Sequence, residues 1–427
     1  MKYSVITFGC RVNQADSLGF EEELRAAGGV EAAPGAADLV IVNTCSVTTT
    51  ADQGARQTIR RIARDNPSAK IVVTGCYATR RPDDIAQLPN VFRVVANDEK
   101  PKLISLASVG AELARAVGDG PCGAAIEPGV MGRTAYTLRV QTGCAEPCSY
   151  CIIPSTRGRP RSVSIDDIVR EIDRVVAAGF KEVALTGVHL GSYGRDLAAA
   201  SSLIDLLRTL DAWTPPCVGA EPARPEGVLF RISSLEPMDC TPEIVDLVAS
   251  SDCFAPHFHL PLQHASNRVL AAMRRPYTIE QYAALVDRIR ARMPDASIGT
   301  DVIVGFPGER DDDFERLAGY LERSPLTHVH VFPYSDRPGT DASRMGGKVA
   351  GAVVRARGAR AREIGRRLTE AFRQSQIGTV HRALTLEDGS LAVTGNYLKV
   401  RIPAGRQRNE WVRLQVTSAE PLAAAIC

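Results

Sequence analysis

Along roughly the first hundred residues, short apolar runs alternate with stretches whose apolar positions recur every three or four residues. YSVITFG, DLVIVNT and KIVVTG read as strands, and SLGFEEELRAAG and ADQGARQTIRRIARDN as helices. That order is a βαβαβ unit with a parallel sheet, and it defines an N-terminal domain over residues 1–116. Residues 117–134 (VGDGPCGAAIEPGVMGRT) follow neither period, are rich in Gly and Pro, and read as a linker.

A longer α/β series fills residues 135–350. Its candidate strands are TLRVQTG, EVALTG, LFRISS, HFHLPL, SIGTDVIVG and THVHVFPYS, with helical stretches such as IDDIVREIDRVVAAG, SLIDLLRTLDAW and IEQYAALVDRIRARM between them. Six strand–helix repeats point to a parallel (β/α) barrel or part of one, with functional residues at the C-terminal ends of the strands. Residues 351–373 read as a basic linker helix. From 374 to 427, the runs RALTLED, LAVTGNYLKVRIP and EWVRLQVTS suggest a small β-barrel. The predicted fold class is therefore α/β with an appended all-β domain.

Charge sharpens this division. The chain carries a formal +2 overall, yet Arg355 to Arg413 holds 13 Lys/Arg against 5 Asp/Glu, so the rest is net acidic. A basic C-terminal part suits a nucleic-acid backbone, although an Arg-rich helix is also an ordinary solvated helix or linker. The sequence opens on a strand-like segment, and no apolar run reaches the roughly 20 residues needed to cross a bilayer, so the expected location is cytoplasmic, with no membrane partner. Eleven cysteines in such a compartment argue for metal ligation or catalysis over a disulfide framework.

Cys144, Cys148 and Cys151 in GCAEPCSYC follow a predicted strand with the spacing Cys-x3-Cys-x2-Cys. Three thiolates within eight residues can reach three irons of a four-iron four-sulfur cluster and leave the fourth open to a small molecule. A structural zinc site would want a fourth ligand, and none lies near in sequence. Cys10, Cys45 and Cys76 are far apart, but each comes right after a strand (VITFG, VIVNT, VVTG). Parallel strand ends share one edge, so these thiolates can converge on a second cluster. The rival reading is three small buried residues. Cys122, Cys217, Cys240, Cys253 and Cys427 have no ligand spacing and receive no role.

The Cys-x3-Cys-x2-Cys spacing is the signature of radical S-adenosylmethionine enzymes. FGCRVNQAD, VNTCSVT, TGCYA, GCAEPCSYCIIPSTRGRPRS, LTGVHLGSYGRDL, LPLQHASNRVLAAMRRPYT and TDVIVGFPGERDDDF together resemble the methylthiotransferase family over nearly the whole chain. TRGRPRS and LTGVHLGSYGRDL are most similar to the branch acting on threonylcarbamoyladenosine. The resemblance implies two [4Fe-4S] clusters, the N-terminal one supplying or carrying sulfur and the central one generating a 5′-deoxyadenosyl radical. It also implies two uses of S-adenosylmethionine, an electron donor whose identity no residue discloses, and a C-terminal TRAM-like RNA-binding barrel. The same resemblance puts Tyr150 beside the adenine, and Gly187, His189, Ser234, Glu236, Val304 and Gly305 at strand ends that touch the cofactor. Structural alternatives stand beside these: a packed aromatic for Tyr150, a turn for Gly187, a helix cap for Glu236. His257 and His259 share a strand face, which favours barrel packing over ligation.

The implied activity is methylthiolation of C2 of N6-threonylcarbamoyladenosine at position 37 of transfer RNA. Isopentenyladenosine in transfer RNA, or an aspartate of a ribosomal protein, are the alternatives within the family, and an iron–sulfur carrier without radical chemistry lies outside it. A threonylcarbamoyl group ends in a carboxylate, so Arg157, Arg159 and Arg161, within ten residues of Cys151, are candidate substrate contacts. RNA phosphates or an acidic neighbour are the other partners open to them.

Overall fold

A computed structural model of the chain describes residues 1–107, 126–129, 134–214 and 227–427. Most of the expected linker, and Cys122 and Cys217, lie outside the described residues. The chain divides into two compact units, one of residues 1–126, 142–160 and 335–340, the other of residues 127–141, 161–334 and 341–427.

The first unit is built on a parallel sheet in the order β2-β1-β3-β4-β5, with β1 Lys2–Thr7, β2 Val30–Glu31, β3 Leu39–Thr44, β4 Lys70–Gly75 and β5 Val91–Val95. All six residues of β3 are buried, as expected of a central strand covered on both faces. Val40 and Val42 pack with Ile59 and Ile62 of helix α2 (Thr49–Asp65). Leu39 and Ile41 pack with Phe20 and Leu24 of helix α1 (Arg11–Ala26) on the other side. Thr48 starts α2 by accepting the Ala51 N–H on its hydroxyl at 3.2 Å. Parallel pairing sets Thr7 beside Asn43 and Asn43 beside Thr74, so three strands end on one level.

The second unit holds the six expected strands as two three-stranded parallel sheets. Tyr136–Arg139, Glu182–Thr186 and Leu229–Ile232 form one, and His257–His259, Ser297–Val304 and His328–Pro333 the other. A bridge between Phe230 and Phe254 joins them, so the strands run in sequence order around a partial barrel. Helices Ile165–Ala177, Leu203–Ala212, Pro242–Ser250, Ile279–Arg292 and Asp311–Arg323 return the chain between strands. Capping boxes at Ser202/Asp205 and Thr278/Gln281 start two of them.

Helix Gly351–Ser375 leads into a closed five-stranded barrel of Val380–Leu386, Leu391–Thr394, Lys399–Arg401, Trp411–Ala419 and Leu422–Ile426. Where the sequence suggests one run, LAVTGNYLKVRIP, the structure has two strands. Tyr397 turns the chain there with φ +68°. The barrel packs on the central sheet of its own unit. Leu384 and Trp411 meet Leu229 and Ala255, while the buried Arg231 pairs with Glu182 at 2.8 Å and donates to the Gly395 carbonyl at 2.8 Å. Among the described residues, no helix is long and apolar enough to cross a membrane.

Candidate active site

Cys10, Cys45 and Cys76 come together because their strands end on one level and the chain then turns tightly. Gly9 and Gly75, with φ of +93° and +96°, precede two of them, and that backbone suits glycine alone. A Cβ on Gly9 would sit 2.6 Å from Cys45 Cβ, and one on Gly75 would sit 2.2 Å from the Thr44 carbonyl. Thr44, just before Cys45, holds the third turn by donating to the Thr74 carbonyl at 2.6 Å. Cys10 is exposed, while Cys45 and Cys76 are buried. Burial, with Cys76 and Cys10 close by, pushes the Cys45 thiol up to about 11. Crowded thiols of this kind favour a cation among them.

Two buried charge groups flank these cysteines, each with two cations on one carboxylate. Lys100 lies 2.6 Å from Asp16, and Arg157 lies 3.5 Å from the same oxygen while bonding Asn13. On the other side, Arg80 and Arg337 lie 2.5 and 2.8 Å from Asp52, which also accepts from Ser46 at 2.9 Å. Among the described residues each group sets two basic side chains on one carboxylate, an environment suited to an anionic, thiolate-bound group.

The Cys144–Cys151 loop belongs to the same compact unit. Gly143 precedes Cys144 with φ +76°, and a Cβ there would lie 2.0 Å from the Arg159 carbonyl. The loop closes when the Cys144 N–H donates to the Gly158 carbonyl at 3.0 Å. All three thiols and Tyr150 are half-buried. Helix Ile153–Arg157 then runs to the N-terminal cysteines, where Asn97 donates to the Thr156 carbonyl at 2.7 Å and lies 3.8 Å from Cys76 Sγ. The three candidate arginines therefore part company. Arg157 is buried against Asn13 and Asp16, whereas Arg159 and Arg161 are exposed.

In the second unit, the Gly187–His189 turn is organised by a residue that sequence reasoning missed. Gln141 Oε1 accepts from the Val188 and His189 N–H groups at 3.0 and 2.9 Å, and a Cβ on Gly187 would press on it at 3.0 Å. The buried His189 ring faces Asp239 at 3.4 Å. Ser234 Oγ lies 2.8 Å from His259 Nδ1. Glu236 pairs with the buried Arg275 and makes no cap bond to the turn that follows it. Val304 ends its strand, and Gly305 continues at φ +80° with its N–H donating to Glu309 at 2.5 Å. Glu309 in turn holds Arg357 at 2.7 Å. Cys240 is buried and its thiol is pushed up to about 12 by that burial, in keeping with a packing role.

Residues 2–97 match the Uncharacterized protein family UPF0004, and residues 138–321 match the Radical SAM superfamily. The chain is 36% identical over 425 residues to the threonylcarbamoyladenosine tRNA methylthiotransferase MtaB of Aquifex aeolicus, covering 97% of this chain and 100% of that one. It is 33% identical over 438 residues to the tRNA-2-methylthio-N(6)-dimethylallyladenosine synthase of Acidothermus cellulolyticus, covering 98% and 84%. Among solved structures, the radical S-adenosylmethionine methyltransferase TsrM of Kitasatospora setae matches with a TM-score of 0.56 at 16% identity, over 80% of this chain and 75% of its own, a likeness of fold.

Proposed function

The chain belongs to the methylthiotransferase family of radical S-adenosylmethionine enzymes, and from that premise we propose that it methylthiolates C2 of N6-threonylcarbamoyladenosine at position 37 of transfer RNA. The observation that carries this reading is end-to-end identity with an MtaB protein, joined by further MtaB proteins at 31–37%. Family membership implies a four-iron four-sulfur cluster and S-adenosylmethionine.

Cys144, Cys148 and Cys151 would hold that cluster, and Cys10, Cys45 and Cys76 a second one. The excess of buried cations around the N-terminal thiols supports the second assignment. When bound, these groups supply one-electron reductive cleavage of a sulfonium and a transferable sulfur, with electrons from an external donor. The chain's own residues bind and orient. Gly187, His189, Ser234, Glu236, Val304 and Gly305 of the second unit would contact the cofactor, with His189 steadied by Gln141 and Asp239, and Glu236 by Arg275. In the first unit, Tyr150 of the cysteine loop is assigned to its adenine. Buried Arg157 braces the loop against the N-terminal thiols. Exposed Arg159 and Arg161 face the substrate RNA, and the basic C-terminal part grips its phosphates. A cytoplasmic location fits such a substrate.

Identity with dimethylallyladenosine synthases keeps that base as the second reading. The test is mass spectrometry of nucleosides from cells lacking and regaining the gene. The methylthio form of threonylcarbamoyladenosine should vanish and return. Loss of the methylthio dimethylallyl nucleoside instead would transfer the assignment.

A further inference from the structure

The sheet of His257–His259, Ser297–Val304 and His328–Pro333 has two unlike faces. Ile298, Thr300, Val302 and Val304 point one way and are wholly buried, with Tyr282 of helix Ile279–Arg292 bonded to Thr300 Oγ1 at 3.1 Å. The opposite face is polar as far as Asp301 and His330, after which Ile303 and Phe332 follow. Four of the chain's seven histidines, 257, 259, 328 and 330, stand on the two outer strands, and Asp301 lies between them. Parallel barrels fill such interiors with branched aliphatic residues. Imidazoles and a carboxylate there give up packing energy, which is reasonable where a polar group must enter.

These side chains form a row. Ser234 Oγ lies 2.8 Å from His259 Nδ1, His259 Nε2 lies 3.1 Å from Asp301 Oδ1, and the same oxygen lies 3.1 Å from His330 Nδ1. Ser234 is itself exposed, and beyond it exposure rises from 13% for the His259 side chain through 24% for Asp301 to 58% for His330. Burial alone would raise the Asp301 carboxyl, but hydrogen bonds from His259 and His330 outweigh it and hold it down at about 2. The bond to Asp301 in turn raises His330, although burial opposes it. The row therefore ends in an imidazole whose protonated form is favoured by the fixed carboxylate behind it. His330 Nε2 has no partner among the described residues.

We propose that this row is a binding subsite for the carboxylate that ends the threonylcarbamoyl group, with His330 Nε2–H as the donor. The proposal rests on the threonylcarbamoyl reading of function and deepens it. Asp301 bonds the Nδ1 side of the ring and the ligand the other side, so the imidazole separates two carboxylates. Ser234 and His259 fix Asp301, which fixes the ring. A dimethylallyl group has no acceptor for this donor and would leave it unpaired, so the subsite also selects between the two bases.

The experiment compares the reconstituted enzyme and His330→Ala on matched RNAs bearing threonylcarbamoyladenosine as the free acid or its methyl ester. The expected result is a loss in kcat/KM of about 10-fold to 150-fold on the acid, as for a hydrogen bond to a charged group, with a much smaller loss on the ester. His330→Gln, which keeps a neutral donor, should recover part of the loss. Asp301→Asn should reduce preference for the acid with His330 intact. Equal losses on acid and ester, or none on either, would overturn the subsite. So would stoichiometric zinc in the cluster-loaded parent that disappears in His330→Ala, since the same atoms lie within 4.8 Å of one another and could hold a cation. A parent inactive on both RNAs yet active on dimethylallyladenosine would refute the functional reading itself and the subsite with it.

Discussion

The two cysteine groups are built by opposite means. Cys144, Cys148 and Cys151 lie within one eight-residue loop, half-exposed, and local chain geometry alone brings them together. Cys10, Cys45 and Cys76 come from three turns, and only the register of a parallel sheet aligns them. The first group can form wherever the loop closes. The second exists only in the folded sheet, and it depends on two strand-end glycines and a threonine hydroxyl that the first does not use, as well as on two buried charge groups, one of which holds Arg157 next to the first. A site made of dispersed residues needs its whole fold as a template.

The largest contrast is in chemistry. Replacing Cys144, Cys148 and Cys151 together by Ala should abolish cleavage of S-adenosylmethionine, followed as 5′-deoxyadenosine by chromatography. Persistent cleavage would remove the radical assignment from this loop.

Next in size is reactivity with pH. A thiol at about 11 is a roughly 100-fold weaker source of thiolate at pH 8 than one near 9. In cluster-free protein, alkylation of Cys45 should lag and then rise about tenfold per pH unit until it levels near 11. The sign follows from the raised value: the neutral thiol persists below it, and the thiolate appears above. Mass mapping of alkylated peptides reads this directly, and early labelling of Cys45 at pH 8 would contradict the crowded, buried site.

A smaller and more selective break is Gly9→Ala. The added Cβ meets Cys45 at 2.6 Å on a backbone that costs an L-residue roughly 1–3 kcal/mol. The variant should lose about half its iron yet keep cofactor cleavage. Full iron content would show that the turn is not needed.

Much of this was legible in the sequence. Strands of the parallel sheets announce themselves as apolar runs, and Cys-x3-Cys-x2-Cys is explicit. The dispersed cysteines could be paired because each follows a strand, and two follow a glycine. Arg157 was less legible: on sequence it is one of three arginines near Cys151, and only tertiary packing buries it against Asp16. Gln141 acts through its side-chain oxygen on a turn 46 residues ahead of it, at Gly187, so no local pattern marks it. HFH and HVH show the period of a strand, but that period does not say which face stays open. The last barrel strand, Leu422–Ile426, is mostly alanine, which carries little strand signal.

The smallest expected effect concerns RNA. Arg401 and Arg413 are exposed on the barrel, and changing each to Ala should lower the slope of log affinity against log salt by roughly 0.7 to 0.9 if each meets a phosphate. An unchanged slope would place the RNA grip elsewhere and leave both cysteine groups untouched.

The most direct measurement of the central claim, two separate cluster sites made in two different ways, is iron per chain in anaerobically reconstituted protein. The parent should carry close to eight irons, and the variant with Cys10, Cys45 and Cys76 replaced by Ala about four, while it still cleaves S-adenosylmethionine. A parent with only about four, or a variant with as much iron as the parent, would contradict it.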